Sequence, residues 1–198
     1  MTMFLSSSLA MMVLLSTIGY SAVHKIDRTH SSVNFKIRHI FTKTTGQFRK
    51  FSGKIDFDPK AIENSKFSFE IDASSIFTDD KDRDKHLKSK DFFWTERHPT
   101  ISFKSKKTSP INNKSFVVSG ILTMRGVSKP IEVNMNYLGQ MKAPSGKYKA
   151  GFEASAKVNR QDFGISWNKS LDSGGVILGD MVDIEIFLET ENVTLGKS

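Results

Sequence analysis

Eight segments of the chain alternate apolar with polar residues, and a charge-crowded interruption separates the third from the fourth. They run through Val33-Phe35-Ile37, Phe51-Ile55-Phe57, Phe67-Phe69-Ile71, Ile101-Phe103, Phe116-Val118-Leu122, Ile131-Val133-Met135-Tyr137, Tyr148-Ala150-Phe152-Ala154-Ala156-Val158 and Val182-Ile184-Ile186-Leu188. A period of two turns one face of each segment inward and leaves the other wet, which antiparallel strands satisfy. Eight such strands, with no second layer of helices, predict a sheet closed on itself around its own side chains or around a ligand. In the second segment, punctuated by Gly46 and Gly53, the apolar phase slips between Phe48 and Phe51. A slip of one residue is how a bulge looks in sequence, and bulges help a sheet curl. Asp58-Pro59 ends that segment, because proline cannot donate to a ladder.

The interruption spans Thr78 to Pro99 and holds too few apolar residues for a strand. Thr78 or Asp79 is positioned to cap a short helix with an acidic first turn and a basic last turn, matching the helix dipole. Leu87, with Phe92 and Phe93 just beyond the end, gives this helix one greasy side, as a lid or plug over a barrel mouth requires. Arg125-Gly126 between two alternating runs reads as a hairpin in which glycine supplies a positive φ. Lys142 to Lys147 forms a longer, mobile connection, and Asn159-Arg160-Gln161-Asp162-Phe163-Gly164 and Ser173-Gly174-Gly175 punctuate the final third. No repeat or linker divides the chain.

Lys+Arg 29 against Asp+Glu 21 gives a net charge of +8 over 198 residues, a length that fits one all-β domain. The surplus serves solubility, or else attraction to anionic lipid surfaces or a phosphate-bearing ligand. The chain has no cysteine, which rules out disulfides, thiolate nucleophiles and a lipid-modified N-terminal cysteine. Residues 1–22 read as a signal peptide, with an apolar core from Leu9 to Ile18 and small residues Gly19, Ser21 and Ala22 at the cleavage region. Export from the cytoplasm follows, with residues 23–198 as the mature domain. An uncleaved N-terminal membrane anchor is the alternative, since residues 1–23 are just long enough to span a bilayer.

Candidate chemistry is sparse. Asp80-x-Asp82-x-Asp84 followed by Asp91 imitates a calcium loop, but Lys85 replaces the turn glycine and Lys81 and Arg83 add opposing charge. The five histidines show no metal-ligand spacing. Asp162-Phe163-Gly164 lacks every companion motif of a kinase, and there is no G-x-S-x-G elbow. Basic clusters such as Lys104-Ser105-Lys106-Lys107 do not interleave with the phenylalanines, so they point to a wet barrel exterior and not to nucleic acid.

Sixteen phenylalanines, against two tryptophans and three tyrosines, remain to be explained. They either fill the barrel or line a tunnel for a long apolar tail. Ala150, Ala154 and Ala156 on one inward face leave volume inside, which leans towards the tunnel.

Several motifs resemble the YceI-like family of lipid- and polyisoprenoid-binding proteins. They are His30-Ser31-Ser32-Val33-Asn34-Phe35-Lys36-Ile37-Arg38-His39, Arg83-Asp84-Lys85-His86-Leu87-Lys88-Ser89 with Asp91-Phe92-Phe93, Gly120 to Pro130, and Asn159 to Gly164 with Gly179-Asp180. The resemblance covers about residues 24 to 190. It implies an all-β, eight-stranded antiparallel, lipocalin-like barrel with a short helical insert between strands 3 and 4. It also implies a periplasmic location and a tunnel for an isoprenoid or similar amphiphile, without a catalytic constellation or other cofactor.

The residues expected against the tail are Phe35, Ile37, Phe51, Phe69, Ile71, Phe103, Val118, Leu122, Met135 and Phe152, with Leu87, Phe92 and Phe93 near the insert. Arg83 and Arg160 are candidates for an anionic head group. No metal site is expected. Transient contact with a membrane surface and pairing of two copies are left open. An enzyme acting on a lipid or quinone-like substrate in the same tunnel is the rival reading, with His39, His86 and Asp84 as its only candidates. A transmembrane barrel is disfavoured by the charged insert, the mixed polar strands and a Gly196-Lys197-Ser198 end without a terminal aromatic.

Overall fold

Alternation along the chain becomes ten strand segments in the computed structural model, which describes residues 22–172 and 174–193. Apart from Ala22, the segment read as a signal peptide lies outside the described residues, as does the Gly196-Lys197-Ser198 end. The segments are β1 (Ala22–His39), β2 (Thr42–Phe48), β3 (Phe51–Phe57), β4 (Lys66–Asp72), β5 (Ile76–Phe77), β6 (Thr100–Pro110), β7 (Ser115–Met124), β8 (Val127–Lys142), β9 (Tyr148–Asn159) and β10 (Leu178–Asn192). Neighbours pair antiparallel, and β10 returns to β1, so the sheet is a closed barrel.

Ten segments make eight barrel strands because two strands are interrupted. β2 and β3 both flank β1, β2 along Val33 to His39 and β3 along Ala22 to Lys25. The break between them falls at Arg49-Lys50, where the apolar phase slips. Arg49 stacks on the Phe77 ring at 3.3 Å, and its amide donates to the Ser75 carbonyl. β4 and β5 likewise form one strand broken by a 3-10 turn at Ala73–Ser75. Opposite the break, β1 carries its own irregularity between Asp27 and Ser32. Its inward face therefore changes phase, from His24 and Ile26 to Val33, Phe35 and Ile37, and the wall bends there.

The insert is the helix α1 (Lys81–Lys88), which follows the third barrel strand. Its cap is Asp80, one residue beyond Asp79 and two beyond Thr78, the two positions the sequence offers. The Asp80 carboxylate accepts from the Arg83 amide at 3.0 Å. Asp79 instead turns the chain with φ 61. At the hairpin between β7 and β8, Arg125 (φ 52) shares the left-handed conformation with Gly126 (φ 74), giving the twist that a two-residue loop needs.

Many outward positions on the wall are charged, including Lys36, Glu132, Glu153, Lys157 and Glu185, with Leu138, Met181 and Phe187 as exposed apolar exceptions. A charged outer wall is what a barrel in water shows and a lipid-facing band does not. Among the described residues, no helix is long and apolar enough to cross a membrane.

His24 sits at the sealed end, 2% exposed, with Nδ1 3.0 Å from the Thr190 hydroxyl. That hydroxyl donates to the Ala150 carbonyl, so it accepts from His24 and fixes the Nδ1–H form of a neutral ring. Burial lowers the His24 pKa from its ordinary 6.5, with Asp56 opposing the shift. A depressed pKa means that the unfolded chain takes up the proton first. The His24 contribution is therefore whole above pH 6.5 and is lost as pH falls below it. Denaturation midpoints measured from pH 7 to pH 5 are predicted to fall in the wild type. In His24→Gln they stay flatter across that window, because the titrating group is gone.

Candidate functional site

Along the barrel axis the inward side chains divide into two zones. At one end five rings pack together: Phe57 stacks on Phe116 at 5.8 Å, tilts against Tyr137 at 4.8 Å and meets Phe152 edge-on at 5.0 Å, and Phe67 stacks on Phe116 at 5.7 Å. Phe57, Phe67, Phe116 and Phe152 are at most 1% exposed. Burying each ring contributes about 2–3 kcal/mol, and each edge or offset contact adds roughly 0.5–1.5 kcal/mol. This end is solid.

At the other end neighbouring rings touch, Phe48 lying 5.8 Å from Phe35 and 5.6 Å from Phe93, but the inward residues leave the axis open. Phe35, Ile37, Phe69, Ile71, Phe103, Ile131, Val133, Ile184 and Ile186 are only partly buried because they face an internal cavity of about 620 Å³. Ala154 and Ala156 on β9 contribute little side-chain bulk to this wall. Three glycines widen it further. A Cβ on Gly46 would fall 2.3 Å from the Phe35 ring, one on Gly53 2.7 Å from Phe69, and one on Gly120 2.5 Å from Phe103. Each phenylalanine ring thus sits close against a bare stretch of backbone.

Most residues expected against a tail do line this cavity: Phe35, Ile37, Phe69, Ile71, Leu87, Phe92, Phe93, Phe103, Leu122 and Met135. Phe51, Val118 and Phe152 lie off its wall, buried at 7%, 0% and 0% exposure. The same inward alternation places residues in both zones, so periodicity alone cannot separate wall from solid core. Phe48, Val33, Met124 and Val158 line the cavity too and were missed. Each sits on an inward register, and only the bends and strand ends reveal its height in the barrel.

Ionisable groups gather at the mouth. α1 contributes Asp82, Arg83 and His86, β1 contributes His39, and the segment after β9 contributes Trp167 and Ile177. α1 is tied down through Thr78. Asp84 accepts from the Thr78 amide at 2.8 Å and from its hydroxyl at 2.7 Å, while the Arg83 guanidinium donates to the Thr78 hydroxyl and carbonyl at 2.8 Å each. Asp84 is therefore held in a turn. His86 lies 2.9 Å from the Asp91 carboxylate, with Phe92 and Trp167 edge-on to its ring at 5.0 and 4.9 Å. That aromatic contact joins the insert to the far rim.

Arg160 borders the cavity but is 3% exposed, and its donors are committed. It donates to the carbonyls of Gly179, Ile165 and Trp167 at 2.9, 2.7 and 2.8 Å, and to Asp180 at 3.0 Å. Burial lowers its pKa while Asp180 raises it, and a guanidinium stays charged throughout. Arg125 ties the same segment to the insert by donating to the Gly164 and Lys90 carbonyls. Of the two arginines expected at a head group, Arg83 is the one with a half-exposed side chain, at 41%.

Away from the mouth, the ligand atoms of Asp27, His30 and Glu189 lie within 4.8 Å of one another at the β1 irregularity. Lys149 bridges Asp27 and Glu189 there, so the cluster is an ion-pair network. Hydrogen bonds from His30 and then Lys149 hold the Asp27 carboxyl well below its usual range.

The sequence matches the YceI-like domain over residues 24–190. It is 37% identical over 155 residues to the UPF0312 protein plu2095 of Photorhabdus laumondii, covering 77% of this chain and 80% of that one. Among solved structures, the YCEI protein of Campylobacter jejuni aligns with a TM-score of 0.68 at 29% identity, over 94% of this chain and 99% of that one. A polyisoprenoid binding domain from Saccharophagus degradans shares the fold, with a TM-score of 0.62 at 16% identity over 87% and 99% of the two chains.

Replacing Arg160 by Met strands several buried carbonyls. Urea denaturation is predicted to show a loss of about 2–4 kcal/mol, with a shift in Trp167 emission as its anchor is released. Arg160→Lys restores only part of this, because an ammonium cannot reproduce the fork of donors.

Proposed function

This chain belongs to the YceI-like family, and we propose that it is a periplasmic binding protein that takes the apolar tail of an isoprenoid or similar amphiphile into its barrel. The observation that carries this reading is the cavity of about 620 Å³, walled by hydrocarbon and aromatic side chains, with its ionisable groups at the mouth. A tail that loses about 400 Å² of apolar surface to water gains roughly 10 kcal/mol before ordering costs are subtracted. The polar end then rests among Arg83, His86 and His39 at the rim. An isoprenoid is the first guest to test, since the Saccharophagus degradans neighbour is described as polyisoprenoid-binding.

Binding fits this site better than catalysis does. Asp84 is occupied by Thr78, and His86 packs between rings with Asp91 as its partner. The rim also supports transient contact with a membrane surface. Phe41 is 94% exposed, and its neighbour Ile40 is held at φ 50 by a 2.9 Å hydrogen bond from its amide to the Ile177 carbonyl.

Organic extraction of protein purified without detergent, read by mass spectrometry, tests the proposal. A near-stoichiometric amphiphile is expected. Failure to recover any, together with no binding of an added isoprenoid alcohol, would overturn it. Ala156→Trp, which pushes an indole into the lumen, is expected to cut the bound amphiphile about tenfold without lowering the denaturation midpoint.

A further inference from the structure

Two-residue hairpin tips favour glycine, asparagine or aspartate, because such turns need a left-handed backbone and stand in water. The β1–β2 hairpin departs from that rule at both positions. Its tip is Ile40-Phe41, with His39 and Thr42 as the last pair of the ladder. Ile40 is β-branched yet sits at φ 50, and Phe41 is 94% exposed. Neither the strain nor the exposed ring serves the core. The tip is nonetheless fixed in place. The Ile40 amide donates to the Ile177 carbonyl at 2.9 Å, and Arg38 Nε donates to the Ile40 carbonyl at 3.0 Å. Val176, next to Ile177, is 52% exposed and sets a second apolar side chain at this corner.

One rung behind the last pair, Arg38 and Lys43 lie directly opposite each other, both exposed. Like charges across a ladder are unfavourable in water. The Ile177 amide donates to the Lys169 carbonyl at 3.0 Å, which brings another exposed cation to the corner. Asp183 is shared by Lys43 and Lys157, and Asp172 is the acidic residue of the Lys169 segment, so positive charge prevails. By strand rise, Lys43 stands about 7 Å behind Phe41. An apolar group that enters the boundary between headgroups and acyl chains goes to a depth of about 5–10 Å, which leaves the cations level with the phosphates. The tip also belongs to the mouth, since His39 and Ile177 border the cavity.

We infer that the Ile40-Phe41 tip is a membrane wedge that seats Phe41 in an anionic phospholipid bilayer, with Arg38 and Lys43 on its phosphates, so that the lumen loads by contact with that bilayer. The inference rests on the tail-binding reading and adds to it the donor surface and the residue that engages it. A protein partner fits this corner less well. A stable interface buries about 800 Å² on each side, more than two side chains on a protruding turn offer. A single ring entering lipid needs no such area.

Flotation with vesicles of equal parts phosphatidylcholine and phosphatidylglycerol tests the wedge, and transfer of a fluorescent farnesol analogue from loaded protein to these vesicles tests the loading. Phe41→Ser is expected to weaken vesicle binding about tenfold. Arg38→Gln combined with Lys43→Gln weakens it about tenfold on the anionic vesicles and leaves binding to pure phosphatidylcholine unchanged. Met141→Ser, which removes a side chain 71% exposed at the sealed end, leaves vesicle binding as it was. The wild-type transfer rate rises in proportion to vesicle concentration, whereas that of Phe41→Ser is slower and independent of it.

Farnesol affinity measured without vesicles reports tail binding separately, because Phe41 does not border the cavity. Vesicle binding by Phe41→Ser equal to that of the wild type would overturn the wedge and leave tail binding standing. So would a wild-type transfer rate independent of vesicle concentration, or self-association that Phe41→Ser abolishes in a protein that ignores vesicles. A protein that holds no farnesol would overturn tail binding and loading together, and flotation would still decide the wedge.

Discussion

An eight-stranded barrel surrounds a volume that its inward side chains either fill or enclose, and this chain does each at a different height. Filling is done by large rings whose edges and faces meet, and it anchors the closure of the sheet. Enclosure follows where alanine and glycine leave room beside the phenylalanine and aliphatic side chains of the wall. The solid half makes the hollow half affordable: the hydrophobic gain concentrated in the ring cluster offsets the contacts that the upper wall forgoes. Gly46, Gly53 and Gly120 belong to the same arrangement, because each lets a phenylalanine ring sit close against the backbone of the wall.

The mouth is held by backbone-directed hydrogen bonds more than by apolar packing. Thr78 is gripped from two sides by Asp84 and Arg83, and Arg160 gathers three carbonyls from the segments that form the opposite rim. Such a frame fixes an opening without filling it. Asp80-x-Asp82-x-Asp84 looks like an ion site in sequence. In the fold, Asp80 caps the helix and Asp84 orders the turn before it.

The eight-strand closure was legible because each strand alternates over several residues, and a period of two leaves little freedom in the choice of face. The first half of β1 was not legible. His24 and Ile26 point inward, but Asp27 to Ser32 form an irregularity that reverses the phase before Val33, and polar residues hide the strand there. Residues of the cavity wall were found where they sit on the mouth half of a strand. Phe51, Val118 and Phe152 follow the same alternation yet belong to the solid core, because depth along the barrel depends on register between strands and not on the pattern within one. Arg160 reads in sequence as a free cation next to a turn. Only the fold brings Ile165, Trp167 and Gly179 around it.

The most direct measurement is diffraction from crystals of this protein grown with an isoprenoid chain brominated at its tail end. The account predicts an anomalous bromine peak inside the barrel against Met135 and Ala154, directly above the Phe152 ring, with the polar end among the side chains of the helical insert. A peak on the outer wall, or a lumen closed by rings turned inward from Phe35, Phe69 and Phe103, would contradict it.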